Sequence, residues 1–285
     1  MSIDLLVSKQ NRDGGWPYIR GVSWTEPTVY AVLALLSAGE IERAKRGLTW
    51  LEALQRPDGG WPPQARIALS TWVTALAALI PPGRLHARVH ARAIRWLAET
   101  TGEESTLLYR LREWLLGNRR APEQEFAGWP WVPGTAAWVA PTSVTILALA
   151  QECRRRTDAE LEQRVHAGRQ FLLLHMCREG GWNHGSVRAL GYESRPYPET
   201  TGLALAAMRG VASPQIRLAV AAARQFWMGC RSLDAFNWLR LGLLAHGELP
   251  NEYCPAQGLR PRTIPEMALD MLMTAALEGQ NPFFI

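Results

Sequence analysis

Residues 10–17 read Gln-Asn-Arg-Asp-Gly-Gly-Trp-Pro, and residues 55–62 read Gln-Arg-Pro-Asp-Gly-Gly-Trp-Pro. Weaker copies follow as Gly-Trp-Pro at 128–130 and Arg-Glu-Gly-Gly-Trp at 178–182. Internal repetition of this kind is typical of an array of like structural units. Because glycine tolerates the positive φ of a sharp turn, we expect each Gly-Gly-Trp copy to end one helix and turn the chain towards the next. The tryptophan should pack across the helix junction, and the glutamine of each full copy can donate amide hydrogen bonds beside it.

Each copy is followed by a run of apolar residues, and two further runs lack a copy in front of them. The runs are apolar nearly all round, as is typical of helices that are buried on every side. Buried parallel strands would give similar runs, but these are rich in alanine and leucine and the longer ones exceed strand length, which favours helices. The runs cover residues 29–36, 72–79, 143–150, 202–208, 237–245 and 265–277.

Amphipathic stretches alternate with these runs, as at residues 41–55, 87–100, 158–175 and 214–228. In them, apolar residues recur at helical spacing opposite charged residues, which predicts half-exposed helices. Stacked hairpins with one buried and one half-exposed member give two layers. We therefore predict an all-α fold, an (α/α)5-6 toroid, as a single domain over residues 1–285. One hairpin, within residues 101–125, should be irregular, and residues 246–262 should form a long loop.

The charge of the chain excludes few partners. The 285 residues carry a formal net charge of +5, and nearly all of the basic residues are arginine. The longest basic run, residues 154–156, is followed by acidic residues, so a solvated helix face is the simpler interpretation. An anionic partner such as a diphosphate or a lipid headgroup stays open. No nucleic-acid partner is expected, because no motif for one occurs.

The cysteines and the start of the chain bear on its location. The four cysteines are scattered without a Cys-x-x-Cys pair, which favours a reducing compartment over a disulfide framework. The first residues lack the pattern of a signal peptide, and no apolar run reaches the ~18–20 residues of a membrane span. We expect a cytoplasmic protein, with peripheral membrane contact and the oligomeric state left open.

The Gln-x-x-Asp-Gly-Gly-Trp segments resemble the QW repeat of the squalene–hopene cyclase and prenyltransferase superfamily. The alanine-rich helices that follow, each led by a threonine, resemble the inner helices of that superfamily. The resemblance is clear over about residues 8–210 and extends to the rest by continuation of the pattern. It implies an α/α barrel with a central apolar cavity for an isoprenoid or similar lipid-like molecule, and this chain has the length of one such barrel.

Two chemistries of that superfamily can be compared with the residues. Zinc-dependent prenyl transfer uses an Asp-x-Cys pair, which this sequence lacks, so neither a metal nor another cofactor is expected. Class II cyclases protonate their substrate with the middle Asp of an Asp-x-Asp-Asp motif just before an inner helix, and this motif is absent too. With the inner-helix threonine as anchor, the resemblance places the catalytic acid at Glu26 or Glu199. The neighbouring Asp is then replaced by Pro27 or Thr200.

Physical chemistry sets limits on such an acid. Burial in an apolar cavity would raise the pKa of a glutamic acid, whereas a helix N-terminus favours the carboxylate. An epoxide or an enone is therefore a better substrate than a bare alkene, since oxygen is easier to protonate. The simpler alternative for Glu26 and Glu199 is that they are helix-start residues, because acidic residues belong in the first helical turn. Glu266 could be a third such acid.

Aromatic residues in or just before the predicted inner helices, with one histidine after Trp182, are the candidates for ligand binding. Aromatic faces can stabilise a carbocation, although core packing is the commoner role of such residues. The candidates are Trp24, Tyr30, Trp72, Trp138, His184, Tyr197 and Trp238.

The sequence leaves two functions open. One is a terpenoid or meroterpenoid cyclase that binds an isoprenoid in the barrel cavity and uses proton-initiated cyclisation. The other is a non-catalytic isoprenoid or lipid carrier, or a partner subunit, which needs no acid. A glycosidase with paired carboxylates could also use a toroid, but the repeat and the apolar inner helices argue against it. The Gly-Cys-Gly-Glu-Gln segment of a thioester domain is absent.

Overall fold

Helices make up nearly all of the regular structure. The computed structural model describes residues 3–116, 126–185, 188–189, 192–249 and 258–284. Over these residues the helices are α1 (Ile3–Ser8), α2 (Thr25–Ser37), α3 (Ile41–Leu54), α4 (Val73–Ala78), α5 (Ala87–Glu99), α6 (Leu107–Leu115), α7 (Val139–Arg155), α8 (Ala159–Leu174), α9 (Pro198–Ala207), α10 (Pro214–Gly229), α11 (Leu233–Ala245) and α12 (Ile264–Leu277). A 3-10 turn spans Glu103–Ser105, and strands β1 (Arg188–Ala189) and β2 (Tyr192–Glu193) form an antiparallel pair.

The predicted alternation of buried and half-exposed helices is present. The helices α2, α4, α7, α9, α11 and α12 bury most of their residues, and we call them the inner helices. The helices α3, α5, α8 and α10 bury one face only, and we call them the outer helices. The predicted irregular hairpin contains the 3-10 turn and α6, and its residues 117–125 lie outside the described part. The predicted long loop also lies partly outside it, at residues 250–257.

The described residues divide into two compact units. The first comprises residues 3–99 and 259–284, and the second comprises the described residues between 100 and 258. The single domain expected from the sequence stays a prediction. No helix in the described part of the chain is long and apolar enough to cross a membrane.

In the first unit, α2 is the central element. It packs against its own outer helix α3, against α4 of the next hairpin and against α12, which comes from the other end of the sequence. The helix α12 also contacts α1, and α4 packs on α5. The first hairpin is therefore covered on one side by a helix that follows the whole second unit in chain order.

In the second unit, α9 is packed between α7 and α11, and α10 covers α9 and α11. The approach of α9 to α11 is close because glycine stands on both helices. A Cβ atom at Gly202 would lie 2.3 Å from the carbonyl carbon of Trp238, and one at Gly242 would lie 2.5 Å from the carbonyl oxygen of Gly202. No larger residue fits at Gly202 without separating the two inner helices.

The four Gly-Trp copies share one hydrogen-bond pattern. Their tryptophans, which we call the repeat tryptophans, are at most 1% exposed: Trp16, Trp61, Trp129 and Trp182. Each donates its main-chain N–H to the hydroxyl of a threonine near the start of the following inner helix. The acceptors are Thr28, Thr74 and Thr142 at 2.8 Å and Thr201 at 3.0 Å. A threonine near the start of the following inner helix therefore has a structural role in all four copies.

The repeat tryptophans also tie each turn to the helix before it. The indole N–H groups of Trp16, Trp61 and Trp182 donate to leucine carbonyls near the ends of α1, α3 and α8, at 2.6–2.9 Å. Carbonyls in the last turn of a helix have no partner within the helix, so the indole satisfies one of them. The glutamines act as expected, because Gln10 and Gln55 each donate to a glycine carbonyl of their own copy at 2.8 Å.

The turn after a repeat tryptophan also fixes the start of a neighbouring inner helix. In three cases, the carbonyl two positions after the tryptophan accepts a hydrogen bond from the first N–H of that helix. The pairs are Tyr18 with Ile264 of α12 at 2.8 Å, Pro63 with Thr25 of α2 at 2.8 Å, and His184 with Val139 of α7 at 2.9 Å. The starts of α2 and α7 are thereby held in place from two sides.

Candidate active site

The inner helices that follow a Gly-Trp copy all begin at an aromatic residue. The N-cap positions of α2, α4, α7 and α9 are Trp24, Trp72, Trp138 and Tyr197, and none of them makes a side-chain capping hydrogen bond. N-caps are usually Ser, Thr, Asp or Asn, and α11 and α12, which lack a copy, follow this rule with Ser232 and Thr263. Four aromatic N-caps forgo a stabilising interaction of about 1 kcal/mol each, which points to a role other than helix stability. All four had been predicted as ligand-binding residues.

In the first unit, Glu26 is hydrogen-bonded to a tyrosine. Glu26 lies in the first turn of α2 and is half-buried. The hydroxyl of Tyr18 donates to Oε2 of Glu26, and the ring of Tyr18 lies 5.6 Å from that of Trp24, tilted by 59°. Tyr18 lies in the turn after Trp16, and its own carbonyl accepts the hydrogen bond that fixes the start of α12. Trp24 and Glu26 lie on either side of the first residue of α2. The turn and the helix start together bring the three side chains close to one another.

The environment of this cluster raises the pKa of both Glu26 and Tyr18. Burial raises the pKa of the Glu26 carboxyl, and the hydrogen bond from Tyr18 opposes this rise without cancelling it. Burial and the adjacent negative charge of Glu26 raise the pKa of Tyr18 as well, so the phenol keeps its proton. A carboxylic acid with a raised pKa beside a permanent hydrogen-bond donor can act as a general acid.

Tyr18 was not among the residues predicted from the sequence. Its position offered one signal, because it follows a repeat tryptophan by two residues, as Pro63 and His184 do in other copies.

The third acid, Glu266, is different from Glu26. It accepts the N–H groups of Arg262 and Thr263 in a capping box at the start of α12, which is a structural role.

In the second unit, three predicted residues come together. The ring of His184 lies 5.2 Å from that of Tyr197 at an angle of 44°. Trp138 lies beside the same turn, because a Cβ atom placed on Gly185 would be 3.7 Å from its Cα and from its ring atom Cε3. His184, Trp138 and Tyr197 are all more than a third exposed, so their rings are accessible to a ligand.

Glu199 lies in a less enclosed environment than Glu26. It is half-buried in the first turn of α9 and lines an open cleft of about 520 Å³. Gln225 of α10 and Cys230 and Arg231 of the α10–α11 connection line the same cleft. Burial raises the pKa of the Cys230 thiol, and the nearby Glu199 adds to the rise. The cleft holds polar groups and does not contain the predicted aromatic residues.

The remaining predicted residues are in the helix packing. Tyr30 in α2 and Trp238 in α11 are each 5% exposed, and Trp72 at the start of α4 is half-buried. Tyr30 and Trp238 therefore lie among packed helices, and their contact with a ligand stays a prediction. No group of three or more His, Cys, Asp or Glu side chains that could hold a metal ion occurs among the described residues.

Comparisons with known proteins concern the fold. No family model matches the chain, and no curated protein matches it in sequence. Its structure is similar to that of a type II terpene cyclase from Scytonema in complex with geranylgeranyl dihydroxybenzoate, its substrate. The two are 18% identical with a TM-score of 0.55, and the match covers 95% of this chain and 76% of the cyclase.

A second solved structure has the same fold with a different activity. The chain is similar to an endo-β-1,4-glucanase from Acetobacter xylinum, at 13% identity and a TM-score of 0.59, over 98% of this chain and 99% of the glucanase. Both proteins are α/α toroids, so the predicted all-α toroid class is confirmed. The chain therefore has a fold similar to that of both proteins. Fold similarity does not by itself assign an activity.

Proposed function

We propose that this protein is a proton-initiated terpenoid or meroterpenoid cyclase that uses Glu26 as its catalytic acid. The observation that carries the proposal is the carboxyl of Glu26, whose pKa is raised by burial while Tyr18 donates to it beside Trp24. The terpenoid cyclase-like fold and the aromatic starts of the inner helices support the same conclusion.

The roles of the two residues follow from their hydrogen bond. Protonated Glu26 transfers its proton from one carboxyl oxygen to the oxygen of an epoxide or carbonyl of the substrate. The carboxylate that remains keeps the hydrogen bond from Tyr18. Because such bonds are stronger to a charged acceptor, Tyr18 stabilises the state after proton transfer more than the state before it. The glutamate thus has the support of a tyrosine where class II cyclases have a second aspartate.

After proton transfer, the reaction requires of the protein only a binding site of suitable shape and aromatic rings that face the cations. In an epoxide substrate the protonated C–O bond breaks and its electrons stay on oxygen. The carbon cation is attacked by the electron pair of an alkene, which forms a C–C bond and a new cation. The last cation loses a proton to water, and Glu26 regains one from solvent. The N-cap rings of the same unit, Trp24 and Trp72, can stabilise these cations by about 0.5–2 kcal/mol each.

Turnover of candidate substrates tests the proposal. The detergent-solubilised protein is incubated with prenyl diphosphates, oxidosqualene and prenylated quinones, and cyclic products are sought by mass spectrometry. The Glu26→Gln variant should lose about 100-fold or more of the rate, because it keeps the shape of the side chain without its acidic proton. Glu162→Gln, which changes an exposed acid in the first turn of α8, is the matched control.

Two results would contradict the proposal. If Glu199→Gln abolishes turnover while Glu26→Gln keeps it, the acid is the other predicted glutamate. If no substrate turns over and an isoprenoid co-purifies equally with the wild-type protein and the Glu26→Gln variant, the protein is the non-catalytic isoprenoid carrier considered above.

A further inference from the structure

The helix α6 presents its apolar side chains to solvent. Leu107 is 84% exposed and Trp114 is 73% exposed. Three further leucines of α6 are each more than half exposed: Leu108, Leu111 and Leu115. In a water-soluble protein an amphipathic helix normally buries its apolar face, and a contiguous exposed apolar patch marks an interaction site.

These five side chains form one stripe. At 3.6 residues per turn they fall within about 120° of the helix circumference. The side opposite the stripe is that of Tyr109, which is half-buried. The leucines and Trp114 of the stripe therefore face solvent, whereas Tyr109 is partly covered.

Charged residues border the stripe on both edges. Arg110 lies next to Trp114 on one edge, Arg112 lies next to Leu108 on the other, and both arginines are exposed. Leucine and tryptophan on one face with arginines along its edges is the pattern of helices that lie in a membrane interface. We propose that α6 docks the protein on an anionic lipid bilayer, with its apolar stripe inserted among the acyl chains and its arginines at the headgroups.

The geometry of α6 favours a lipid surface over a second copy of the chain. With nine residues the helix is about 14 Å long, which is too short to span a bilayer but sufficient to lie flat in the interface. A symmetric pairing of two stripes would use the same surface on both copies and bring the arginines at their edges together. Anionic headgroups instead place negative charge beside Arg110 and Arg112.

Sedimentation with lipid vesicles tests this proposal in the intact protein. The wild-type protein should sediment with vesicles of equal parts phosphatidylcholine and phosphatidylglycerol, and less with phosphatidylcholine alone. Replacing two stripe residues, in the Leu111→Glu plus Leu115→Glu variant, should weaken binding to the mixed vesicles at least about tenfold. Replacing the two arginines by glutamine should reduce only the preference for phosphatidylglycerol.

A pair of exposed apolar residues on α10 provides the control. Leu218→Glu plus Met228→Glu places the same charges at two exposed apolar residues of α10 and should leave vesicle binding unchanged. The proposal is overturned if the wild-type protein stays in the supernatant, or if the α6 variant binds as the control does. It is also overturned if sedimentation equilibrium without lipid shows that the wild-type protein is a dimer and the α6 variant is a monomer.

Discussion

The hydrogen bond between Trp16 and Thr28 offers a direct test of how the repeat holds the inner helices. The main-chain N–H of Trp16 donates to Oγ1 of Thr28 at 2.8 Å, and both residues are completely buried. The Thr28→Val substitution keeps the branched shape of the side chain and removes the acceptor. The N–H of Trp16 would then be buried without a partner.

The size of the effect follows from which groups lose a partner. The Thr28 hydroxyl also donates to the carbonyl of Trp24, but that carbonyl still receives the main-chain N–H of Thr28 at 3.2 Å. The cost is therefore that of one unsatisfied buried donor, about 1–3 kcal/mol. The same reasoning predicts a similar loss for the corresponding threonine of the other copies, Thr74, Thr142 and Thr201.

Urea unfolding followed by circular dichroism measures this loss. The control is Thr274→Val in α12, an exposed threonine whose hydroxyl donates to Asp270 within the same helix, and it should change the free energy of unfolding by less than about 0.5 kcal/mol. If Thr28→Val is no more destabilising than Thr274→Val, the threonine hydroxyls do not anchor the turns, and the argument for the repeat is wrong.

Three further predictions concern the turns and the candidate acid. Gly59→Ala should destabilise the protein in urea unfolding by at least about 1 kcal/mol more than Gly39→Ala. Both glycines have positive φ, but only a Cβ atom at Gly59 would meet the carbonyl oxygen of Arg92, at 2.7 Å. Because burial raises the pKa of Glu26 from its ordinary value, wild-type stability should fall as pH rises through the folded-state pKa. Glu26→Gln should lack this fall, and an equal pH dependence in both proteins would disprove the shift. Tyr18→Phe removes the donor that opposes the rise, so the fall should move to higher pH in the same measurement.

The helices could be predicted from the sequence because their burial leaves a pattern in the residues. The runs of alanine and leucine became inner helices, and in the four that follow a Gly-Trp copy a threonine near the start is the partner of a repeat tryptophan. The aromatic candidates at the helix starts were found for the same reason, since a position in the repeat can be read from the chain. The amphipathic stretches likewise became the outer helices α3, α5, α8 and α10.

Contacts that depend on how the turns fold could not be predicted in this way. The hydrogen bond between Tyr18 and Glu26 requires the turn after Trp16 to place a phenol beside the start of α2. The cleft at Glu199 depends on the short α10–α11 connection, which no pattern marks. For α6, the spacing of the leucines defines an apolar face but not the direction in which that face points. These features are set by tertiary packing, and periodicity contains no information about it.

The packing of α12 on α2 has a consequence for synthesis on the ribosome. The residues of α12 follow those of the second unit in the chain, so they are translated after it. At ribosomal speeds, the apolar surface of α2 that α12 covers waits on the order of 10 s or more for its partner. During that interval the nascent first hairpin is open to chaperones or to premature association, whereas the second unit has all of its described helices as soon as α11 has been translated. Moving the α12 segment in front of α1 by circular permutation would shorten this delay and should raise the yield of folded protein.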